Sequence, residues 1–181
     1  ALLLLDEGMP APAVDRVATD FGMPVGPVEL ADNVGLDVAL AVAEVLAQPL
    51  DLEIPQLLRD RVAAGRLGRK SGGGFYSHAN GRVFKAQVAK RYVAPLDVQD
   101  RLILRLLNEA VRCLRLGVVA DADQLDVGLI FGAGFAPFRG GPLYYARQRG
   151  FGEIVSVLER LAQRHGTRFN PDPGWADLAA D

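Results

Sequence analysis

One short unit occurs twice in this sequence and limits what the chain can become. Gly26-Pro27, seven residues, then Gly35-Leu36 is matched by Gly141-Pro142, seven residues, then Gly150-Phe151. Proline is favoured at the first position of a helix, because its missing N–H would find no partner there. Gly35 and Gly150 can adopt the left-handed backbone that closes a helix. Each unit thus predicts a tight loop, a short helix, a stop and the start of another helix; in the first, Asp37 is placed to cap that next helix. The match extends upstream, where Ala1-Leu-Leu-Leu-Leu-Asp-Glu-Gly8 parallels Ala110-Val-Arg-Cys-Leu-Arg-Leu-Gly117. Eighteen residues separate Gly8 from Pro27 and twenty-four separate Gly117 from Pro142, so the second copy carries a six-residue insertion. Two copies are too few for a solenoid, which stacks repeats to bury a continuous core. The expectation is an all-α chain of two tandem small helical domains, residues 1–92 and 93–181, with one short hairpin between them.

Periodicity and punctuation fill in the rest. Helices are expected over residues 1–7, 12–21, 27–34, 37–47, 54–64, 95–116, 121–131, 142–149 and 152–165, with a short last one beyond the proline-rich turn before Trp175. Leu30, Val34, Val38, Ala41 and Val45 recur at three- and four-residue steps and predict a core-facing stripe. Leu102, Leu106, Ala110 and Cys113 do the same on the long helix. Asn80-Gly81 is a tight-turn signal and predicts a hairpin from Ser77 to Lys85; residues 86–94 then link the copies. In the second copy the first helix begins well before Ala110, near Pro95, whereas the first copy starts mid-helix at Ala1. This asymmetry predicts a fragment whose upstream part has been removed. The N-terminal leucines do not read as a signal peptide, because no basic region precedes them and the apolar run is short.

Composition narrows the function classes. Twenty basic and 22 acidic residues give a net charge of −2, so the chain as a whole has no nucleic-acid footprint. The single cysteine, Cys113, excludes an internal disulfide and suits a reducing cytoplasm; on an apolar helix it reads as a buried, inert thiol. No stretch reaches the roughly twenty apolar residues of a membrane span.

Few residues suggest chemistry of their own. Gly65-Arg-Leu-Gly-Arg-Lys-Ser-Gly-Gly-Gly-Phe-Tyr76 is basic and glycine-rich, but Arg69 stands where a Walker loop needs glycine and no strand precedes it. Arg66, Arg69 and Lys70 beside exposed N–H groups would suit a phosphate; a solvated basic turn is the competing reading. Gly132-Ala-Gly-Phe-Ala-Pro lacks the third glycine of a dinucleotide loop, and Phe131, Phe135 and Phe138 read as a packing cluster. Arg139 suits an anion or a loop-to-helix salt bridge. His78 and His165 stand beside no carboxylates or cysteines in sequence, so no metal site is expected. Asp32, Asp37, Glu29 and Glu44 read as surface and capping groups. No catalytic constellation is visible within the chain.

Two motifs carry a resemblance. Phe21-Gly-Met-Pro-Val-Gly-Pro-Val-Glu-Leu-Ala-Asp-Asn-Val-Gly-Leu-Asp37 with the loop through Tyr76 resembles the C-terminal helical domain of L-3-hydroxyacyl-CoA dehydrogenases. Asn108-Glu-Ala through Gly132-Ala-Gly-Phe-Ala-Pro-Phe-Arg-Gly-Gly-Pro142 resembles a second copy of it, as in the multifunctional fatty acid oxidation complex α subunit. The resemblance implies a 6-phosphogluconate-dehydrogenase-C-terminal-like fold and NAD-dependent oxidation of a 3-hydroxyacyl-CoA. It also implies that NAD and the catalytic His–Glu pair belong mainly to an upstream Rossmann domain, absent from this chain, so the fragment alone would be inactive. Asn108 is not given the family's catalytic asparagine role. The implied substrate-side residues are Met23, Pro24, Val25, Pro27 and Leu30 as an apolar wall, with Arg69 and Lys70 toward the CoA phosphates. The implied partners are the acyl-CoA, the Rossmann domain and a thiolase subunit. The alternative is a non-catalytic helical module for self-association or thiolase docking.

Overall fold

The computed structural model describes residues 1–50, 53–89 and 92–180. These residues form ten α-helices and one two-stranded hairpin. They divide into two compact units, Ala1–Asp20 with Val25–Leu96 and Phe21–Pro24 with Asp97–Asp181. Lys90 and Arg91, in the linker predicted over 86–94, lie outside the described residues. No described helix is long and apolar enough to cross a membrane.

The first unit contains α1 (Leu2–Asp6), α2 (Ala11–Phe21, whose last residue belongs to the other unit), α3 (Pro27–Val34), α4 (Leu36–Leu50) and α5 (Gln56–Ala63). A 3-10 turn, Arg69–Ser71, then leads to β1 (Ser77–Ala79) and β2 (Arg82–Phe84). The strands pair antiparallel with His78 opposite Val83, and Asn80 takes the positive φ of 51° that the turn requires. Leu4, Val14, Ala18, Val28, Leu36, Leu58 and Tyr76 are buried.

The start of α3 shows why the sequence needs Gly-Pro there. The first N–H groups of a helix have no helical partners, and a polar side chain just before it usually accepts them. Gly26 has no side chain to offer. Asp15, from the middle of α2, takes that role: Oδ1 accepts the N–H of Val28 at 2.8 Å and Oδ2 that of Glu29 at 3.2 Å. The carboxylate sits so close that a Cβ on Gly26 would lie 2.2 Å from its Cγ. Glycine makes room, proline has no N–H to satisfy, and the aspartate neutralises the positive end of the helix.

The second unit contains α6 (Val98–Arg115), α7 (Ala122–Ala133), α8 (Pro142–Arg149), α9 (Phe151–His165) and α10 (Gly174–Ala180), with 3-10 turns at Pro137–Arg139 and Thr167–Phe169. The same kind of helix start occurs there. Asp126 of α7 accepts the N–H of Leu143 at 2.7 Å and of Tyr144 at 2.9 Å, and a Cβ on Gly141 would lie 2.4 Å from its Cγ. The core joins Leu104, Leu107 and Val111 of α6 to Leu143, Ile154 and Leu158, with Phe21 and Phe135 edge-to-face at 5.6 Å. Buried Asn108 ties down the C-terminal segment. Its Nδ2 donates to the Asn170 carbonyl at 2.9 Å, and its Oδ1 accepts from Asp172 N–H and Trp175 Nε1, both at 2.8 Å. Arg115 grips Asp172 with two parallel bonds of 2.7 and 2.8 Å.

Four sequence expectations need correction. The stripe on α3 and α4 does not face a core: Leu30, Val34, Val38 and Val45 are exposed, and so is Ala41. The first unit instead buries Val28 and Leu36, neighbours on the opposite side of the same helices. On α6 the buried side runs through Leu104, Leu107 and Val111, while Leu102, Leu106 and Cys113 are half-buried at its edge. Helix α4 continues past Pro49 to Leu50 rather than stopping near 47. Asp37 lies inside the first turn of α4 instead of before it, and its carboxylate is held by Lys70 at 2.6 Å.

Removing the carboxylate at one of these helix starts should therefore destabilise far more than a surface change would. Asp126→Ala leaves the buried Leu143 N–H and the part-buried Tyr144 N–H without partners, an expected loss of about 2–4 kcal/mol. Gly141→Ala, which drives a methyl into Asp126 and strains a φ of +106°, should be at least as severe. Urea denaturation measures both, and a loss under about 1 kcal/mol for each would sink this account. Acid supplies a separate check through the only tryptophan, Trp175. Hydrogen bonding from Arg115 holds the Asp172 carboxyl below its ordinary value of 3.8, against the opposing effect of burial. Its stabilising contribution is complete above that value and disappears as pH falls through the lower native one. Trp175 fluorescence should therefore shift toward the red only below the ordinary carboxylate range, and Arg115→Met should move that midpoint upward.

Candidate functional site

The glycine-rich loop of the first unit is shaped by a second buried carboxylate. Asp32, near the end of α3, is fully buried. Its Oδ1 accepts the N–H of Phe75 at 2.9 Å, its Oδ2 that of Tyr76 at 2.8 Å, and His78 Nε2 lies 3.0 Å from Oδ2. Two glycines permit this approach: a Cβ on Gly68 would stand 2.3 Å from the Asp32 carbonyl oxygen, and one on Gly74 2.1 Å from Oδ1. The spacing Gly68…Gly74 that resembles a phosphate loop thus accommodates an aspartate of the same chain.

The loop is also closed on itself. Gly68 N–H donates to Gly73, Ser71 N–H to Gly68, Gly72 N–H to Arg69 and Gly74 N–H to Tyr76, while Leu67 N–H donates to the Ser71 hydroxyl at 2.8 Å. These five N–H groups are committed within the loop and are not offered to an anion. Arg66 and Arg69 are exposed, and Lys70 is engaged by Asp37. Arg61 lies over the Phe75 ring at 5.0 Å and donates to the Gly74 carbonyl at 2.5 Å.

Beside it, Asp15 links three elements. In addition to closing the start of α3 it accepts the Tyr76 hydroxyl at 2.7 Å, and Lys85 Nζ approaches it at 3.4 Å while reaching Glu29 at 2.6 Å. Burial and the anionic acceptor push the Tyr76 hydroxyl far above its usual value, so it stays a donor. An open groove of about 580 Å³ runs along α2 past this cluster, lined by Pro12, Arg16, Thr19, Asp20 and Lys85.

The sequence-predicted site residues are distributed as follows. Val25 and Pro27 are half-buried and Leu30 is 45% exposed, all in the first unit with Arg69 and Lys70. Pro27, Leu30 and Val34 share one face of α3, at three- and four-residue steps. Half-buried Met23 and exposed Pro24 belong to the second unit. Both histidines have a carboxylate neighbour, contrary to expectation: His78 meets Asp32, and His165 meets Asp97 at 3.1 Å. The phenylalanine cluster also separates. Phe135 is buried, whereas Phe131 and Phe138 are exposed. Burial raises the Cys113 thiol, helped by the Glu109 charge. Among the described residues, no three histidine, cysteine or acidic side chains are grouped to hold a metal.

Sequence reasoning missed Asp15, Asp32, Asp126 and Asn108 as the buried polar centres. The repeat contained the signal for two of them, since Asp15 and Asp126 precede their Gly-Pro pairs within equivalent helices.

The fold is found in solved structures. The chain superposes on a 3-hydroxybutyryl-CoA dehydrogenase from Escherichia coli K12 with a TM-score of 0.77 and 21% identity, over 97% of this chain and 56% of that one. It also superposes on the dehydrogenase part of multifunctional enzyme 1 from C. elegans, with a TM-score of 0.68, 23% identity and coverage of 94% and 42%. At these identities the likeness establishes the fold, an all-α one of the kind found within dehydrogenases. Residues 1–78 match the family model of the 3-hydroxyacyl-CoA dehydrogenase C-terminal domain. The fatty acid oxidation complex subunit alpha of Shewanella sp. (strain MR-4) is 37% identical over 199 aligned positions, covering 100% of this chain. That of Vibrio vulnificus (strain CMCP6) is 37% identical over 190. The chain is thus similar along its whole length to these alpha subunits, and over residues 1–78 to the C-terminal domain of 3-hydroxyacyl-CoA dehydrogenases. It spans 28% and 27% of the length of these two relatives.

The loop geometry makes a direct prediction. Asp32→Ala leaves the Phe75 and Tyr76 N–H groups and His78 without their acceptor, an expected loss of about 2–4 kcal/mol. Hydrogen exchange at those two amides should accelerate before that of α2. Unchanged exchange at both would show that Asp32 does not hold the loop.

Proposed function

We propose that this chain is the substrate-side helical region of an NAD-dependent L-3-hydroxyacyl-CoA dehydrogenase of fatty acid β-oxidation, built from two copies of one helical domain over residues 1–92 and 93–181. The recurrence of the helix start built from an aspartate and a Gly-Pro pair supports the duplication. The observation that carries the functional reading is the apolar face left open on α3 and α4, where Leu30, Val34, Val38, Val42 and Val45 are all exposed. A monomeric domain rarely leaves such a series uncovered without a use for it. An acyl chain laid along it would be removed from water, and its reacting end would be held in place by the same contact.

In this reading Val25, Pro27 and Leu30 of the first unit line the wall. Arg69, free of described partners, faces the CoA phosphates more readily than Lys70, which Asp37 already occupies. The described residues build no parallel βαβ unit with a glycine-rich turn, so they do not fit a dinucleotide. NAD, which accepts the hydride when bound, is assigned with the proton-removing histidine to a Rossmann domain upstream in the parent protein. A thiolase subunit is the proposed partner of that parent, and the single cysteine supports a cytoplasmic location.

Calorimetric titration of the chain with a series of acyl-CoAs tests this. Each CH₂ taken onto an apolar wall contributes up to about 0.8 kcal/mol, roughly a fourfold gain in affinity. Affinity should rise with acyl length, and Leu30→Asp should flatten the rise. Affinity independent of acyl length would overturn the wall. Ligand-free self-association abolished by Leu30→Asp, with no acyl-CoA binding, would make the chain an interaction module instead.

A further inference from the structure

In the second unit, two large rings are left in water yet fixed in place. Phe138 is 75% exposed and Tyr144 53% exposed. Each ring is seated against a glycine that could carry no side chain: a Cβ on Gly22 would lie 2.4 Å from the Phe138 ring, and one on Gly140 2.5 Å from the Tyr144 ring. Both glycines have positive φ, +117° and +77°, so the backbone is committed to this arrangement. Arg139 lies beside them. Its guanidinium stacks on Phe21 at 4.0 Å, with Phe138 at 5.3 Å and Tyr145 at 5.5 Å, and its Nε donates to the Phe21 carbonyl at 2.7 Å. Its two terminal nitrogens donate to no acceptor among the described residues.

These groups line a cleft of about 410 Å³ that also includes Tyr145, Gln148 and Arg149. Arg149 is already matched, since it grips Asp100 at 2.5 and 3.1 Å and Glu153 at 3.0 Å. The cleft thus offers flat aromatic faces, one neutral amide and a single unmatched, rigidly aimed cation. Stacked, pre-oriented arginine forks suit phosphate, and open aromatic faces suit a planar ring. Counted from the Gly-Pro pairs, Phe138 and Arg139 occupy the places of Met23 and Pro24. The segment before the second Gly-Pro pair therefore presents ring and charge where the segment before the first presents aliphatic side chains.

We propose that this cleft binds a phosphorylated planar heteroaromatic, a purine nucleotide, with the base stacked on Phe138 and Tyr144 and a phosphate on the free edge of Arg139. The assignment is independent of the acyl-CoA reading of the first unit. The nucleotide has two possible sources, a free nucleotide or the nucleotide end of a coenzyme.

The test is calorimetric titration of the whole chain with ADP, adenosine, inorganic phosphate and coenzyme A. ADP should bind at least about tenfold more tightly than adenosine or phosphate alone. Phe138→Ala, a change at an exposed ring, and Arg139→Lys, which keeps charge but loses the fork, should each weaken ADP at least about fivefold, with Trp175 fluorescence unchanged as the check on folding. Displacement of ADP by coenzyme A, lost in the same variants, identifies a coenzyme source; binding of ADP without such competition identifies a free nucleotide. Either result supports the site. ADP binding no tighter than its parts, or unaffected by both substitutions, overturns it.

Discussion

Three buried carboxylates that accept backbone N–H groups hold this molecule together. Asp15 and Asp126 each close the start of a helix from a neighbouring helix, and Asp32 anchors the glycine-rich loop. Burying a carboxylate is expensive unless hydrogen bonds replace its water. Here each oxygen meets a fixed donor, and in two cases the positive end of a helix as well. The balance differs between Asp15 and Asp126. Tyr76 and Lys85 add to the donors around Asp15. Asp126 has only its two backbone donors among the described residues, and burial outweighs them, raising its pKa. A raised acid pKa means that ionised Asp126 counts against the native state as pH climbs from the unfolded value toward the native one. What Asp126 contributes is therefore the satisfaction of two N–H groups, not its charge.

These contacts explain the glycines better than loop flexibility does. Gly26, Gly68, Gly74 and Gly141 sit where a carboxylate or carbonyl passes within 2.1–2.4 Å of a would-be Cβ. The glycine-rich loop is consequently rigid and inward-looking, with most of its N–H groups spent on itself. A reading of that loop as a phosphate cradle transfers the composition of such cradles without their geometry.

Legibility in the sequence followed the kind of signal. Helix starts and stops were readable, because Pro27, Gly35, Pro142 and Gly150 act through local backbone preference that tertiary context does not reverse. The hairpin at Asn80-Gly81 was readable for the same reason. Which helix face is buried was less so. The steps through Leu30, Val34, Val38 and Val45 predicted a core-facing stripe, but these side chains are exposed, because periodicity does not say whether anything covers an apolar face. On α6, apolar residues occupy more than one face, and the choice between Leu106 and Leu107 depends on where α8 and α9 lie. The buried aspartates were invisible to hydropathy, which places every carboxylate outside. Their partners are 13 to 70 residues away in sequence.

The starts of α3 and α8 share a skeleton but not a surface, and this difference bears on function. Position by position from the anchoring aspartate, exposed Arg16 and Asp20 of α2 correspond to exposed Val127 and Phe131 of α7. Counted from Gly-Pro, half-buried Met23 and exposed Pro24 correspond to exposed Phe138 and half-buried Arg139. The clamp at each helix start tolerates these exchanges because the aspartate contacts main-chain N–H groups, which every residue except proline supplies. Its only strict demands are the glycine beside the carboxylate and the absence of a competing donor at the first helical position. The same kind of clamp can therefore sit beside aliphatic side chains at one helix start and beside an aromatic, cationic cleft at the other.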